Sequence, residues 1–356
     1  MGLPMNASSR LKIESLSVPG YEKVLYGEND SSGMKAIISV HNTNLGPACG
    51  GIRLLPYKNR AEALDDVLRL SRGMSYKSSL AGIGFGGGKS VIIADPKDKS
   101  PELFRDFADF VNRFEGTYYC AKDMNIASAD LKLVKQHTKY VLGIDGEPGS
   151  GGDPSPVTAR GTIRALEATW EQLKGTRKLS GIKVALQGIG YVGYPVAEEI
   201  VKSGGKVWVT DTDPKALEKA RKELGATVVG LDEIYDVDCD VFSPCARGAI
   251  LNNETIPRLK CKAVVGCANN QLKEVEDGWR LHRRGILYAP DYAANSGGII
   301  NVFVEFEGTY REARALQMAD HIYETMTEIY QRSKTSGQPT FVIADVLAEE
   351  RMTKRR

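Results

Sequence analysis

Residues 182–211 constrain the fold more than any other stretch. Ile182-Lys-Val-Ala-Leu-Gln187 has the length and apolar content of a buried strand, and Gly188-Ile-Gly190-Tyr-Val-Gly193 follows at once. Tyr194 to Ser203 continues as a helix, and a second strand, Lys206-Val-Trp-Val-Thr210, ends in Asp211. GxGxxG between a strand and a helix, with a carboxylate at the tip of the next strand, is the signature of a dinucleotide-binding βαβ unit. Gly188 permits the tight turn, Gly190 lets a pyrophosphate approach, and Gly193 allows helix and strand to pack closely. The helix N-terminus presents unpaired N–H groups and a positive dipole end to phosphate. Asp211 would accept hydrogen bonds from an adenosine ribose and repel a 2′-phosphate, which favours NAD. Lys215 nearby is the feature that would suit NADP instead.

Strands and helices keep alternating beyond this unit: helix 214–224, strands 226–229 and 240–243, helix 253–259, strand 263–267, helix 272–283 and strand 286–289. Such alternation predicts a parallel, doubly wound sheet. Three polar clusters close its strands: Ser243-Pro-Cys-Ala246, Cys267-Ala-Asn269-Asn270, and Pro290 to Gly298. Each can face the crevice at the strands' carboxyl ends, where asparagines would bind a carboxamide or an amine. Ordinary turn chemistry explains any one of them equally well. Residues 312–333 and 341–354 read as charged helices that return to pack on the first half of the chain.

The first half opens with strands at 23–28 and 35–42, then a Gly/Pro loop, Asn44 to Arg53. Residues 60–74 are helical by period, with Leu64, Val67, Leu68 and Met74 on one face, and lead directly to Tyr76-Lys77. Lys89 follows three glycines, Gly86 to Gly88, which read as a loop ahead of a strand that ends near Ala94. A lysine desolvated at such a place, with a second lysine nearby, acquires a lowered pKa and can serve as a base near neutral pH. A glycine turn carrying two solvated lysines is the other reading. Residues 101–115 form a second helix whose Leu103, Phe104, Phe107, Val111 and Phe114 are core. Strand 117–121 then delivers Lys122 and Asp123, the latter either an acid or base at a strand end or a capping aspartate.

Gly146 to Pro156 is the clearest composition break, too rich in Gly and Pro for a helix or a central strand. It divides the chain into residues 1–146, a linker or hinge at 147–156, and a nucleotide domain over 157–332, with helices at about 333–356 returning to the first part. A length of 356 residues suits two domains, and a net charge of +2 argues against a strongly cationic nucleic-acid or membrane surface. The N-terminus lacks a signal-peptide core, and Asn6 breaks the myristoylation pattern. Six cysteines without a CxxC and four scattered histidines imply no metal site, but buried thiols in a reducing cytoplasm.

Taken together, GPACGG (46–51), MSYK (74–77), GGGKSV (86–91), KDMN (122–125), SPVTARG (155–161), GxGxxG (188–193) and YAPDYAANSGG (288–298) resemble the Glu/Leu/Phe/Val amino-acid dehydrogenase superfamily, in its leucine and phenylalanine dehydrogenase branch. The resemblance covers roughly residues 24–330. It implies an α/β fold with an N-terminal substrate and oligomerisation domain and a Rossmann-type NAD domain, assembled as a homo-oligomer, a dimer or an octamer. It also implies reversible oxidative deamination of an L-amino acid to a 2-oxo acid and ammonia. By position, Lys77 would hold the substrate carboxylate with backbone help around Gly50 and Gly51, Lys89 would be the base that activates water, and Asp123 would exchange protons with the amine. Asn270 would touch substrate or nicotinamide, Thr158 the carboxamide, and Ala246 and Asn269 the cofactor. Pocket positions fall on Cys49, Ala121, Ile299 and Val302, all small or aliphatic, which suits leucine or valine, with phenylalanine or tryptophan as the alternative, and disfavours glutamate. Lys122, beside the aspartate, is a departure that would shift the pKa of Asp123. Cys49 is another, and would widen the pocket. Two other functions compete: a Rossmann 2-hydroxy-acid dehydrogenase, which needs a His–carboxylate pair, and a silent NAD-binding regulator, which has no use for Lys77, Lys89 and Asp123.

Overall fold

The computed structural model describes residues 11–353, so the first ten residues and the end of the basic tail, Lys354 to Arg356, lie outside the described residues. Two sheets organise the rest. Strands β1 (Lys12–Ser15), β2 (Lys23–Asn29), β3 (Met34–Asn42), β4 (Ala48–Leu55), β5 (Gly86–Ile93) and β6 (Tyr118–Lys122) form the first, in the order β1-β2-β3-β5-β4-β6. Pairing is antiparallel from β1 through β3 to β5, and parallel from β5 through β4 to β6.

Helix α1 (Arg60–Leu80) starts where the Asn59 side chain accepts the Glu62 N–H, and packs Ala63 and Val67 on one face of this sheet. Helix α2 (Pro101–Asn112) starts at Ser100, which caps Leu103, with Pro101 preset for the first turn. Its Phe104, Phe107, Phe110 and Val111 cover the other face with Leu131 and Val134 of α3 (Ser128–Lys135).

Two expectations for this half are corrected. The Asn44 to Arg53 segment is a loop only as far as Pro47, with Ala48 onward in β4, and Gly86 to Gly88 are not a loop at all but the start of β5. The glycines serve close packing rather than turning. A Cβ on Gly50 would lie 1.8 Å from the Gly88 carbonyl oxygen, one on Gly87 2.1 Å from Ser75 Oγ, and one on Gly88 2.7 Å from the Tyr118 ring. Helix α1 also runs past residue 74 to Leu80, so Lys77 sits in its last turn.

The second sheet is wholly parallel. Strands β7 (Lys183–Gln187), β8 (Lys206–Thr210), β9 (Thr227–Val228), β10 (Val241–Pro244), β11 (Ala263–Val264) and β12 (Leu287–Tyr288) lie in the order β12-β11-β10-β7-β8-β9. The order reverses between β7 and β10, which opens a crevice at their carboxyl ends. Helices α4 (Ser155–Lys174), α5 (Gly193–Lys202), α6 (Pro214–Leu224) and α7 (Val275–Arg283) flank it. The helix expected over 253–259 shrinks to a 3₁₀ turn, Ile256–Arg258, because Pro257 lacks an N–H to continue it.

Five helices complete the chain: α8 (Asp291–Ala294), α9 (Gly297–Phe306), α10 (Glu312–Asp320), α11 (Ile322–Ser336) and α12 (Thr340–Thr353). The single helix expected over 312–333 breaks at His321 into α10 and α11. Helix α12 lies on α1, where Ser79 Oγ donates to the Ala348 carbonyl at 2.7 Å and the Tyr76 hydroxyl to Glu349. One apolar cluster therefore runs across both halves, from Tyr76, Leu80 and Phe85 to Val157, Ile300 and Leu347. The Gly/Pro segment between the sheets is pinned by one carboxylate. Glu305 accepts from the N–H groups of Gly143 and Gly151, at 2.9 and 2.8 Å, and from Ser150 Oγ at 3.0 Å.

The glycine contacts make a stability prediction. Gly50→Ala forces a methyl into the Gly88 carbonyl and is expected to cost about 1–3 kcal/mol or more, read as a lower urea midpoint. Gly190→Ala, with nothing within 4 Å of the added carbon, is expected to stay within about 0.5 kcal/mol of the parent.

Candidate active site

Lys89 leaves the middle of β5 and is buried, its ammonium 2.6 Å from Asp123 Oδ2. Asp123 stands just past the end of β6, and a Cβ on Gly51 would lie 2.5 Å from its own Cβ, so only glycine leaves room for it. Arg53 Nε reaches the same carboxylate oxygen at 3.2 Å, while its Nη1 holds Asp66 at 3.0 Å. Tyr57 and Arg69 complete the set around Asp66, at 2.8 and 2.7 Å. Burial lowers the pKa of Lys89, and Asp123 only partly opposes the fall. Burial pushes Asp123 upward, but Lys89 and Arg53 outweigh it and hold the carboxyl below its ordinary range. The pair thus combines an ionised acid with a lysine poised to lose its proton.

Lys77 points from the end of α1 toward the second sheet, and its Nζ meets Asn269 Oδ1 at 3.3 Å. Burial draws it down to about 8 against the upward pull of Asp291, and Lys89 adds to the fall. Asn269 also accepts from Asn295 Nδ2 at 2.8 Å, and Asn295 donates to the Cys267 carbonyl at 3.0 Å. Asp291 holds the turn from beneath, accepting the Asn270 N–H and the Tyr288 hydroxyl, each at 2.8 Å. The structure therefore gathers the 267–270 and 290–298 clusters at Lys77. It is the side chain of Asn269 that touches the lysine, whereas Asn270 is engaged through its backbone.

At the nucleotide turn each glycine has a different neighbour. Gly188 has φ +98°, and an added Cβ would lie 2.6 Å from that of Ala246. A Cβ on Gly193 would lie 2.0 Å from the Gly188 carbonyl, while Gly190 faces open space. Asp211 Oδ2 accepts the Ile189 N–H at 2.7 Å and Oδ1 that of Asp213 at 2.9 Å. Each oxygen keeps a lone pair for a further donor. This turn, open at Gly190 and backed by the N-terminus of α5, fits a dinucleotide.

Two family models match the chain: "Glu/Leu/Phe/Val dehydrogenase, dimerisation domain" over residues 23–143, and "Glutamate/Leucine/Phenylalanine/Valine dehydrogenase" over residues 209–353. A leucine dehydrogenase of Geobacillus stearothermophilus is 45% identical over 337 residues, 94% of this chain and 92% of the relative. A phenylalanine dehydrogenase of Caldalkalibacillus thermarum is 47% identical over 341 residues, with the same two shares. The crystal structure of L-tryptophan dehydrogenase from Nostoc punctiforme superposes with a TM-score of 0.86 at 40% identity, covering 94% of this chain and 97% of that one. The chain belongs to the Glu/Leu/Phe/Val dehydrogenase family. It is a nicotinamide-dependent amino-acid dehydrogenase with the two-domain α/β fold of that family, and its reaction is oxidative deamination.

The dehydrogenase's apolar positions lie where the two domains meet. Cys49 is fully buried, and it shares one cluster with Ile299 and Val302, while Ala121 is buried on β6. Thr158, in the first turns of α4, donates to the Pro154 carbonyl at 2.9 Å. Gly50 and Gly51 lie inside β4, where the Gly50 carbonyl already accepts the Tyr118 hydroxyl at 2.8 Å. Lys122 does not act on Asp123 as expected: it turns away to Asp145 at 3.3 Å, and Arg53 is the second cation instead. The sequence does not single out Arg53 and Asp66 as members of the site, and offers Asp291 only as part of the 290–298 cluster. Strand alternation offered a signal for Arg53, two residues on from Gly51 and so on the face that meets Asp123.

Arg53 is a positioning residue with a measurable effect. Its charge lowers the pKa of both Lys89 and Asp123, so Arg53→Gln raises both. The acid-side limb of the kcat/KM profile for deamination is expected to move to higher pH, with activity lost below that limb. An unmoved limb would show that Arg53 only braces Asp66.

Proposed function

We propose that this dehydrogenase takes a branched aliphatic L-amino acid, leucine or valine, with NAD as its cofactor, and converts it reversibly to the 2-oxo acid and ammonia. The unequal pairing of its two lysines carries the reading: Lys89 is held at 2.6 Å by Asp123, while Lys77 hydrogen-bonds the neutral amide of Asn269 and feels Asp291 only as a nearby charge. A cation that no carboxylate among the described residues holds in an ion pair is suited to a substrate carboxylate, and Lys77 takes that part. Once a carboxylate binds, Lys77 is pushed back toward its charged form, so capture and charge reinforce each other. Lys89, with its pKa lowered, takes a proton from the water that attacks the substrate imine. Asp123, ionised between Lys89 and Arg53, accepts a proton from the substrate amine and returns it to departing ammonia. Bound nicotinamide supplies the acceptor for the hydride from Cα.

Gly188, Gly190 and Gly193 would hold the dinucleotide backbone, Asp211 its ribose, and Thr158, Ala246 and Asn269 the nicotinamide end. Asp211 supports NAD over NADP because its carboxylate, anchored by two backbone N–H groups, would face a 2′-phosphate. Cys49, Ala121, Ile299 and Val302 support an aliphatic side chain. Glu305 acts on Cys49 as a nearby negative charge, which disfavours an acidic substrate side chain. The phenylalanine and tryptophan dehydrogenases among the relatives support an aromatic substrate as the second reading. We place the hinge at residues 147–156 and the substrate domain before it. We also keep a homo-oligomer, a dimer or octamer built through the first domain, because the model matched there is described as a dimerisation domain. The buried thiols suit the cytoplasm, and among the described residues no helix is long and apolar enough to cross a membrane.

NAD reduction with a panel of L-amino acids tests the reading. Leucine and valine are expected to lead, and Lys89→Ala is expected to lose roughly 10²–10⁴-fold in kcat. A tenfold preference for phenylalanine or tryptophan would overturn the pocket assignment. Asp211→Ala is expected to narrow the preference for NAD over NADP by at least about tenfold, roughly 1.4 kcal/mol of discrimination. An unchanged ratio would remove Asp211 from cofactor choice.

A further inference from the structure

Four of the six cysteines are buried, and two are not. Cys49, Cys120, Cys239 and Cys261 lie in the cores, whereas Cys245 and Cys267 are half-buried. Parallel pairing sets Val241 of β10 beside Ala263 of β11, and Phe242 beside Val264. The bond from Val265 N to the Phe242 carbonyl keeps that register, and the bond from Ala268 N to the Pro244 carbonyl shifts it by one residue past the strand ends. Past that shift Cys267 still lies against Cys245 of the neighbouring segment, as its sulfur contact shows. Neighbouring strands run about 4.8 Å apart and rise about 3.3 Å per residue, so residues one step out of register stay about 6 Å apart, within the Cα separation that a disulfide spans. Cys267 Sγ lies 3.8 Å from the Cys245 carbonyl oxygen, and Ser243 Oγ 3.4 Å from Cys245 Sγ.

The pair borders the site on two sides. A Cβ on Gly193 would lie 3.4 Å from that of Cys245, so the thiol backs the glycine turn. On the other side, Cys267 leads into Ala268 and Asn269, the residue that meets Lys77. We propose that Cys245 and Cys267 form a reversible disulfide, made by exchange with a small-molecule disulfide, that closes the glycine turn to its dinucleotide. This effect rests on the reading of Gly188 to Gly193 as the cofactor's turn.

The exchange takes two steps. Cys245 thiolate attacks one sulfur of the small disulfide and expels a thiolate. Cys267 then attacks Cys245 Sγ and expels the second. The two cysteines lose two electrons and two protons, and the small disulfide leaves as two thiols. Hydrogen bonding from the Cys267 thiol favours the thiolate of Cys245, which makes Cys245 the first nucleophile. The same two strands carry a built-in control. Cys239 and Cys261 occupy the opposite strand ends in the same register, but burial pushes them up to about 12 and about 11. Cys267 is pushed up as well, first by its hydrogen bond to Cys245 and then by burial and the Cys245 charge. The Cys245 contributions go once Cys245 is in the mixed disulfide, so Cys267 acts second.

The test treats the full-length protein with oxidised glutathione, maps disulfides by peptide mass, and titrates NADH by fluorescence. Expected are a linked Cys245–Cys267 peptide, NADH binding at least tenfold weaker, recovery with dithiothreitol, and slower linkage when NADH is bound first. Cys245→Ser and Cys267→Ala are each expected to abolish both the link and the oxidant's effect on binding. A link at Cys239 and Cys261 instead, glutathione adducts without the internal bridge, or a bridge that leaves NADH affinity unchanged would each overturn the proposal. Reduced protein that binds no NADH would overturn the dinucleotide reading, and the gating with it. The bridge itself is still decided by the peptide masses.

Discussion

Burying an ammonium group is the demand that the site is built around. An isolated charge in a protein interior is costly, and a lysine answers by shedding its proton or by finding a partner. Lys89 does both in part: its pKa falls, and Asp123 stays at 2.6 Å to accept its hydrogen bond. Asp123 is in turn kept ionised by Arg53, which is braced by Asp66, Tyr57 and Arg69. Removing any one of these leaves another charge short of its partner. The proton chemistry therefore depends on an array that extends well past the two groups performing it.

Close backbone approach makes that array possible. Strands β4, β5 and β6 come together where glycines stand at positions 50, 51, 87 and 88, and side chains there would collide with carbonyls, Ser75 or Asp123. Gly51 clears the space that Asp123 fills, and Gly87 lets the serine-bearing stretch of α1 lie on β5. The same contact aims Lys77, since it is α1 packed on this sheet that carries its ammonium toward the second domain. Glycine thus works here as an absence of volume more than as conformational freedom.

The two domains are coupled through three kinds of contact. An apolar cluster crosses the junction, α12 binds back on α1, and Glu305 gathers three donors of the linking segment. Lys77 adds a polar contact at the cleft itself. A molecule held between Lys77 and the strand ends of the second sheet would be surrounded by residues from both halves, which is how a cleft excludes water around a reacting carbon.

The nucleotide half was legible because its determinants are contiguous: strand, glycine turn, helix and ribose carboxylate follow one another from 182 to 211, and the structure keeps them in that order. The sequence by itself determined the parallel alternation, the helical stripes of α1 and α2, and the presence of two lysines in a glycine-rich setting. It misled at Gly86 to Gly88, because a glycine run looks the same whether it must turn or merely make room. Only the tertiary structure decided which partner each lysine meets. Asp123 comes from the next strand but one across β4, and Asn269 from the other domain, so neither pairing leaves a local pattern. The parts played by Arg53, Asp66 and Asp291 escaped the sequence for the same reason: they exist only once separate elements are packed together, since a charge acts through distance in space and not along the chain.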